Sequence, residues 1–194
     1  MRSKILRIIA GIKKGHTILS PTDGYETTRP TLDRVKESMF SILQNHIVSS
    51  VCLDLFSGTG SLGLEALSRG AKECYFVDES ESTYKILRKN IEKLKFESES
   101  HSFNMSALNA LKKFKGKGIV FDLIFIDPPY FKHMIEPCIL YIENNNLLKD
   151  DGRIMTKIDS WEEVFLGIGS IKLLEKRKYG NTSLVWYEKE LIDD

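Results

Sequence analysis

The run Val51-Cys52-Leu53-Asp54-Leu55-Phe56-Ser57-Gly58-Thr59-Gly60 decides how this chain folds. Its first six residues are apolar apart from one acid, the pattern of a strand buried on both faces, and they stop at a glycine-rich turn. Ser61 to Arg69 then reads as a helix closed by Gly70. The same alternation continues downstream. Cys74 to Val77 reads as a second strand, halted at Asp78, and Tyr84, Leu87, Ile91 and Leu94 recur at helical spacing between Ser80 and Lys95. A weak strand near Ser100 to Asn104 precedes a helix from Ala107 to Phe114.

The strongest strand, Ile119 to Ile126, ends in Asp127-Pro128-Pro129-Tyr130, where two prolines forbid continuation of the ladder. A helix from about Met134 to Glu143 and a strand from Arg153 to Ile158 follow, the latter after a turn at Asp150-Asp151-Gly152. The last two strands, Ile171 to Glu175 and Ser183 to Tyr187, flank a turn at Lys178-Tyr179-Gly180-Asn181 and are placed antiparallel at a sheet edge. Alternating strands and helices predict an α/β fold with a doubly wound, mostly parallel sheet and an antiparallel C-terminal edge strand. Residues 1–30, in short alternating pieces with Gly11, Gly15 and Gly24, are predicted to form a small basic β extension on the main domain, 31–194.

Composition sets the outer bounds. At 194 residues, 42% hydrophobic and 28% charged, the chain has enough apolar material for a globular core, which excludes disorder as its main state. No apolar run approaches the length of a membrane span, and Arg7 interrupts the apolar part of the N-terminus, which argues against a secretory signal. Cys52, Cys74 and Cys138 are widely separated and form no C-x-x-C pair, and the four histidines show no ligand spacing. No metal is expected, and reduced thiols suit a cytoplasmic protein. The net charge of +1 conceals an asymmetry: residues 1–36 hold eight Lys or Arg against three acids. Such a segment is either a polyanion-binding arm or a solvated charged surface.

Gly58-x-Gly60-x-x-Gly63 leaves a strand and opens a helix, and Asp78 ends the next strand. Glycines allow a ligand close to the backbone, and an acid at that place accepts hydrogen bonds from a ribose diol. The pattern fits a nucleotide-bearing cofactor without choosing between a dinucleotide and S-adenosylmethionine. Asp54 is costly inside an apolar strand unless it is paired. A cofactor ammonium or the N–H groups of the turn would serve.

Asp127-Pro128-Pro129-Tyr130 separates the two cofactors. Neither proline carries an N–H, so the segment offers acceptors, from the Asp127 carboxylate and the Pro128 carbonyl. Two acceptors gripping the hydrogens of an exocyclic amino group on a nucleobase would favour a pyramidal, more nucleophilic nitrogen. A hydride-transferring enzyme has no need of this. Tyr130 supplies a face on which a base can stack, once that base is turned out of its stack. If the strand order reverses between the first and fourth strands, this tip and the Gly58 turn flank one crevice.

Together these residues resemble the class I S-adenosylmethionine-dependent, Rossmann-like methyltransferases of exocyclic amino groups. More narrowly, the chain resembles the RsmD family, which methylates the 2-amino group of a guanine in small-subunit ribosomal RNA. The resemblance is carried by Arg7-Ile8-Ile9-Ala10-Gly11, Thr28-Arg29-Pro30-Thr31-x-Asp33-Arg34, Leu53 to Gly60, Gly63 to Ala71, Phe121 to Tyr130 and Arg177-Lys178-Tyr179-Gly180-Asn181-Thr182. It implies S-adenosylmethionine as cofactor, held by Asp54, Phe56, Ser57, Gly58, Thr59, Gly60, Asp78, Ser106 and Ala107. It further implies a base pocket of Asp127, Pro128, Pro129 and Tyr130. The basic front segment supplies the candidate RNA contacts, Lys13, Lys14, Arg29, Thr31 and Arg34. The expected partner is 16S ribosomal RNA within a small-subunit particle, met by a monomer with no membrane association. Two departures stand out: Ser106 where the family usually has an acid, and Lys157 on the fifth strand where relatives often carry one. Alternatives are an adenine amino methyltransferase of DNA, a nicotinamide dehydrogenase, and a catalytically silent RNA-binding assembly factor.

Overall fold

The computed structural model describes residues 6–21 and 29–190. Thr28 of the family-like segment lies outside them, as do the side chains of Arg29 to Leu32. Eight strands form one sheet: β3 (Val51–Asp54), β4 (Glu73–Asp78), β5 (Ser100–Asn104), β6 (Phe121–Ile126), β7 (Leu148–Asp159), β8 (Gly167–Ile168), β9 (Ile171–Tyr179) and β10 (Thr182–Lys189). Their order is β5-β4-β3-β6-β7-β10-β9-β8, with the first five parallel and the last three antiparallel. The chain starts at β3, builds outward through β4 and β5, then returns to place β6 on the other flank of β3. The switch point thus falls between β3 and β6, as a doubly wound sheet requires.

Two hydrophobic layers clothe the sheet. One takes Val35, Met39 and Phe40 of α1 (Arg29–Ile42), Leu64 and Leu67 of α2 (Ser61–Ser68), and Leu87, Ile91 and Leu94 of α3 (Glu81–Leu94). The other takes Ala110, Leu111 and Phe114 of α4 (Ala107–Gly116) and Cys138, Ile139 and Ile142 of α5 (Ile135–Asn144). Strand alternation divides the residues between them: Cys52, Phe76, Phe125 and Met155 face the first layer, and Leu53, Val77, Ile124 and Ile154 the second. Each large side chain buried this way is worth about 1.5–3 kcal/mol.

Three features differ from the sequence expectation. The last strand is not at the edge: β10 is inserted between β7 and β9, and the two-residue β8 is the outermost strand on that side. The Asp150-Asp151-Gly152 segment does not end a loop before the strand. It lies within β7 as an irregularity where the β6–β7 register shifts, with Asp151 at φ 58°. Finally, α1 had no sequence counterpart, although Pro30 in its first turn and the stripe Val35, Met39, Phe40, Leu43 carry its signal.

β1 (Leu6–Arg7) and β2 (Thr17–Ile18) form a short antiparallel hairpin beside α2. Its anchor is Glu65, fully buried, whose carboxylate accepts from the Ile9 and Ala10 N–H groups at 2.8 and 3.0 Å. The same carboxylate pairs with Arg69 at 2.8 Å and Lys36 at 3.2 Å. Burial lowers the Lys36 pKa against the opposing pull of Glu65. Lys36 is therefore spent inside the protein, and Arg7 is paired with Asp33 at 3.0 Å. Among the described residues of the front segment, Arg7 and Lys36 thus have ion-pair partners within the protein.

Candidate functional site

The alternation that sorts the core also aligns three acids and a lysine. Asp54 continues the face of Cys52, Asp78 that of Phe76, Asp127 that of Phe125, and Lys157 that of Met155. All four sit at the carboxyl ends of β3, β4, β6 and β7, in the part of the sheet that contains the switch point. The Gly58 turn and the Asp127 tip, distant in sequence, are consequently neighbours.

Asp54 is 1% exposed. Its Oδ2 accepts from the Gly63 N–H at 2.9 Å, whereas its Oδ1 is buried without a hydrogen-bond partner. Burial pushes its pKa up to about 7; the Gly63 bond opposes the rise and the charges of Asp127 and Asp78 add to it. Such an orphaned acceptor is expensive. Asp78 is the opposite case: its Oδ2 takes the Gly58 N–H at 2.8 Å, and its Oδ1 takes the Ser80 N–H and the Thr83 hydroxyl. It thereby ties the glycine turn to the start of α3.

The turn itself is closed by a Gly60 N–H to Ser57 carbonyl bond at 2.7 Å, with Ser57 donating its own N–H to Val77. Gly58 has φ +53°, and nothing lies within 4 Å of where its Cβ would stand. Gly63 is constrained differently, since a Cβ there would lie 2.3 Å from the Phe76 ring. One glycine keeps a surface clear for a ligand; the other lets α2 rest on β4. Phe56 is partly buried, Thr59 is buried and binds Asn90 through its carbonyl, and Ser106 stands just before α4 and the buried Ala107 without a capping side-chain hydrogen bond. The Asp78 carbonyl receives the Met105 N–H and the Asn104 side chain.

S-adenosylmethionine suits this cradle. The buried Oδ1 of Asp54 lacks the cationic partner that an ammonium would supply, and Gly58 leaves space beside the backbone. Asp78 stands at the ribose position of such folds.

On the other side of the crevice, Asp127 is about one-fifth exposed and its Oδ2 accepts from Lys157 Nζ at 2.7 Å. Pro128 is buried, Pro129 is exposed, and Tyr130 is 38% exposed with its hydroxyl 3.2 Å from that of Thr182. Lys157 Nζ also lies 5.9 Å from the Tyr130 ring centre. In the sequence Lys157 is merely a departure and Thr182 carries no site signal, because a partner two strands away in the sheet leaves no local pattern.

Two of the basic residues, Lys13 and Lys14, do not gather here. Lys13 and Lys14 lie on the hairpin turn at the C-terminal end of α2, where the Lys13 N–H meets Ser68, opposite the end that adjoins the Gly58 turn. Lys13 Nζ lies 5.7 Å from the Phe96 ring centre. Arg34 is exposed on α1, and Arg29 and Thr31 occupy its first turn. Among the described residues no group of His, Cys, Asp or Glu could hold a metal ion, and no helix is long and apolar enough to cross a membrane.

Comparison with known proteins agrees with this geometry. Residues 6–188 match the family described as Conserved hypothetical protein 95. "Putative rRNA methyltransferase YlbH" of Bacillus subtilis is 33% identical over 184 residues, 95% of this chain and 99% of the relative. "Ribosomal RNA small subunit methyltransferase D" of Haemophilus influenzae is 40% identical over 155 residues, 79% of each. The solved structure "Putative methyltransferase yhhF from Escherichia coli" superposes with a TM-score of 0.84 at 29% identity, covering 97% of this chain and 99% of that one. The chain belongs to the Conserved hypothetical protein 95 family, the RsmD-type methyltransferases of the class I fold.

Proposed function

We propose that this chain transfers a methyl group from S-adenosylmethionine to the exocyclic 2-amino group of a guanine in 16S ribosomal RNA. It acts as a cytoplasmic monomer on a small-subunit particle. The observation that carries the reading is the placement of the acceptor tip, Asp127 and Pro128, next to the Gly58 turn across the β3–β6 switch point. The names of the relatives point to the same substrate class.

When bound, the cofactor would supply an electrophilic methyl group on a sulfonium, whose sulfur would keep the electron pair of the broken methyl–sulfur bond and leave as a neutral thioether. The chain does the rest by positioning and electrostatics. The Asp127 carboxylate and the Pro128 carbonyl accept the two amine hydrogens, turning the nitrogen lone pair toward the turn that carries Gly58. Tyr130 stacks the base, with Thr182 fixing the phenol. The new N–C bond leaves the nitrogen cationic, and its surplus proton passes to Asp127 or to water, so no histidine base is needed. Arg29, Thr31 and Arg34 on α1 would meet phosphates and fix the register of the RNA; Lys13 and Lys14 would do so farther out.

The test is incorporation of a tritiated methyl group into undermodified small-subunit particles, with mapping of the labelled nucleotide. Label on a guanine 2-amino group is the expected result. Label on adenine, or tight RNA binding with no label at all, would overturn the proposal in favour of an adenine methyltransferase or a silent assembly factor.

A further inference from the structure

The most exposed large apolar side chain among the described residues is not in the acceptor tip but beside it: Trp161, 85% exposed, in the turn that follows β7. Burying an indole gains free energy, so one held out in water contributes nothing to the fold. Yet the turn that holds it is tightly made. The Trp161 N–H donates to Asp159 Oδ1 at 3.0 Å, Ser160 binds the Asn181 and Gly180 carbonyls of the β9–β10 turn, and Asp159 pairs with Thr182 in the ladder.

This turn is also bound to the acceptor loop. Glu162 receives the Asp159 N–H on one carboxylate oxygen and the Phe131 N–H on the other, both at 2.7 Å. Phe131 immediately follows Tyr130, is 57% exposed, and holds φ 58°, a left-handed conformation that a bulky side chain rarely adopts. Local strain of this kind persists only where surrounding contacts enforce it; here Glu162 supplies one. Tyr130, Phe131 and Trp161 are thus three exposed rings on loops joined by hydrogen bonds.

Charge identifies what they meet. Lys178 Nζ lies 5.8 Å from the Trp161 ring centre. Lys176 leaves β9 on the same side as Lys178, Lys132 follows Phe131, and all three are exposed. Of the acids in the Trp161 turn, Asp159 and Glu162 are engaged by backbone N–H groups and Glu163 is exposed; a ring this exposed with a lysine over it matches single-stranded nucleic acid, whose bases stack on aromatic faces while its phosphates meet cations. We propose that Trp161, with Lys178 beside it, is a stacking platform for an unpaired nucleotide next to the one whose base enters the Asp127 pocket. The inference rests on the RNA reading above and adds to it a second base site, outside the reaction.

Two measurements test it, with Trp161→Ala and Trp161→Phe in the full chain. First, a short labelled oligouridylate is titrated and followed by anisotropy, because stacking tolerates any base. Loss of the ring should weaken binding on the order of tenfold, whereas Phe should retain most of the affinity. Second, methylation of undermodified small-subunit particles should show KM raised by a similar factor in Trp161→Ala with kcat unchanged. Oligouridylate affinity and KM both indifferent to Trp161→Ala would overturn the platform while leaving the methyltransferase reading intact. Trp161-dependent RNA binding in a protein that methylates no particle would sink that reading and keep the platform.

Discussion

The Lys157 ammonium sits 2.7 Å from the Asp127 carboxylate, on the neighbouring strand β7, and each side chain is about one-fifth exposed. An acid on the tip of β6 is therefore fixed by a cation at the end of the adjacent strand. With Oδ2 engaged, Oδ1 is the oxygen left to meet a substrate hydrogen. Replacing Lys157 with Met keeps an unbranched apolar stem and removes the charge. Turnover on undermodified particles should fall about tenfold through loss of positioning, less than the roughly 10²–10³-fold expected where a preorganised polar contact to the reacting group is itself removed. Cofactor affinity should stay constant, and the melting temperature should move little, because a partly solvated ion pair is worth about 1 kcal/mol or less. Unchanged turnover would reduce the pair to a surface contact.

Asp127 itself should matter more. Asp127→Ala removes one of the two acceptors on the amine and should lower turnover on the order of 10²–10³-fold, while S-adenosylmethionine binding, measured by calorimetry, largely survives. Asp127→Asn is the sharper probe. Its amide keeps one acceptor but introduces N–H donors toward an amine that needs acceptors, so recovery should be incomplete. Full activity in that variant would contradict the role assigned to the carboxylate.

The two outer glycines of the Gly58-x-Gly60-x-x-Gly63 pattern should separate stability from binding. Gly63→Ala places a methyl group 2.3 Å from the Phe76 ring and 2.7 Å from Cys74 Sγ. Overpacking of that kind costs about 1–3 kcal/mol, and a lowered melting temperature would show it. Gly58→Ala meets no atom, and its strain at φ +53° costs about 1 kcal/mol. Its methyl group instead projects into the space left for the cofactor. The expectation is weakened cofactor binding with a melting temperature close to that of the parent.

How much of this was legible beforehand follows from the range of each signal. Asp54, the glycine turn, Asp78 and the acceptor tip are local patterns, each a strand end next to a turn, and one chain-order argument about the reversal between β3 and β6 was enough to bring them together. Features made by pairing distant strands were not legible. The insertion of β10 between β7 and β9 decides that Thr182 lies against Tyr130; the apolar run Leu184 to Tyr187 beside the charged run Glu175 to Lys178 does mark β10 as the inner strand, but no local pattern names Tyr130 as the partner of Thr182. Lys157 looked like a departure for the same reason, since its partner is thirty residues away on a parallel strand. The front-segment charge misled in part because sequence counts Lys36 as a surface cation, whereas the fold buries it against Glu65.

Asp54 gives the last prediction, through pH. Its folded-state pKa is raised from 3.8 to about 7 by burial, so the folded protein holds a proton more tightly than the unfolded chain between those values. Stability then falls as pH rises through that window and levels off above about 7, where the folded carboxylate is charged; this is the reverse of the behaviour of a salt-bridged acid. The penalty reaches a few kcal/mol at most. Asp54→Asn should remove this dependence. Compared with the variant, the cofactor-free parent should lose melting temperature between pH 4 and about 7. Binding of S-adenosylmethionine should reverse the loss, since an ammonium near Oδ1 stabilises the carboxylate, and should release protons near pH 6. Calorimetric titrations in buffers of different ionisation enthalpy would detect that release. Parallel stability curves for parent and variant, with no proton release on binding, would mean that the free oxygen of Asp54 is already satisfied by water.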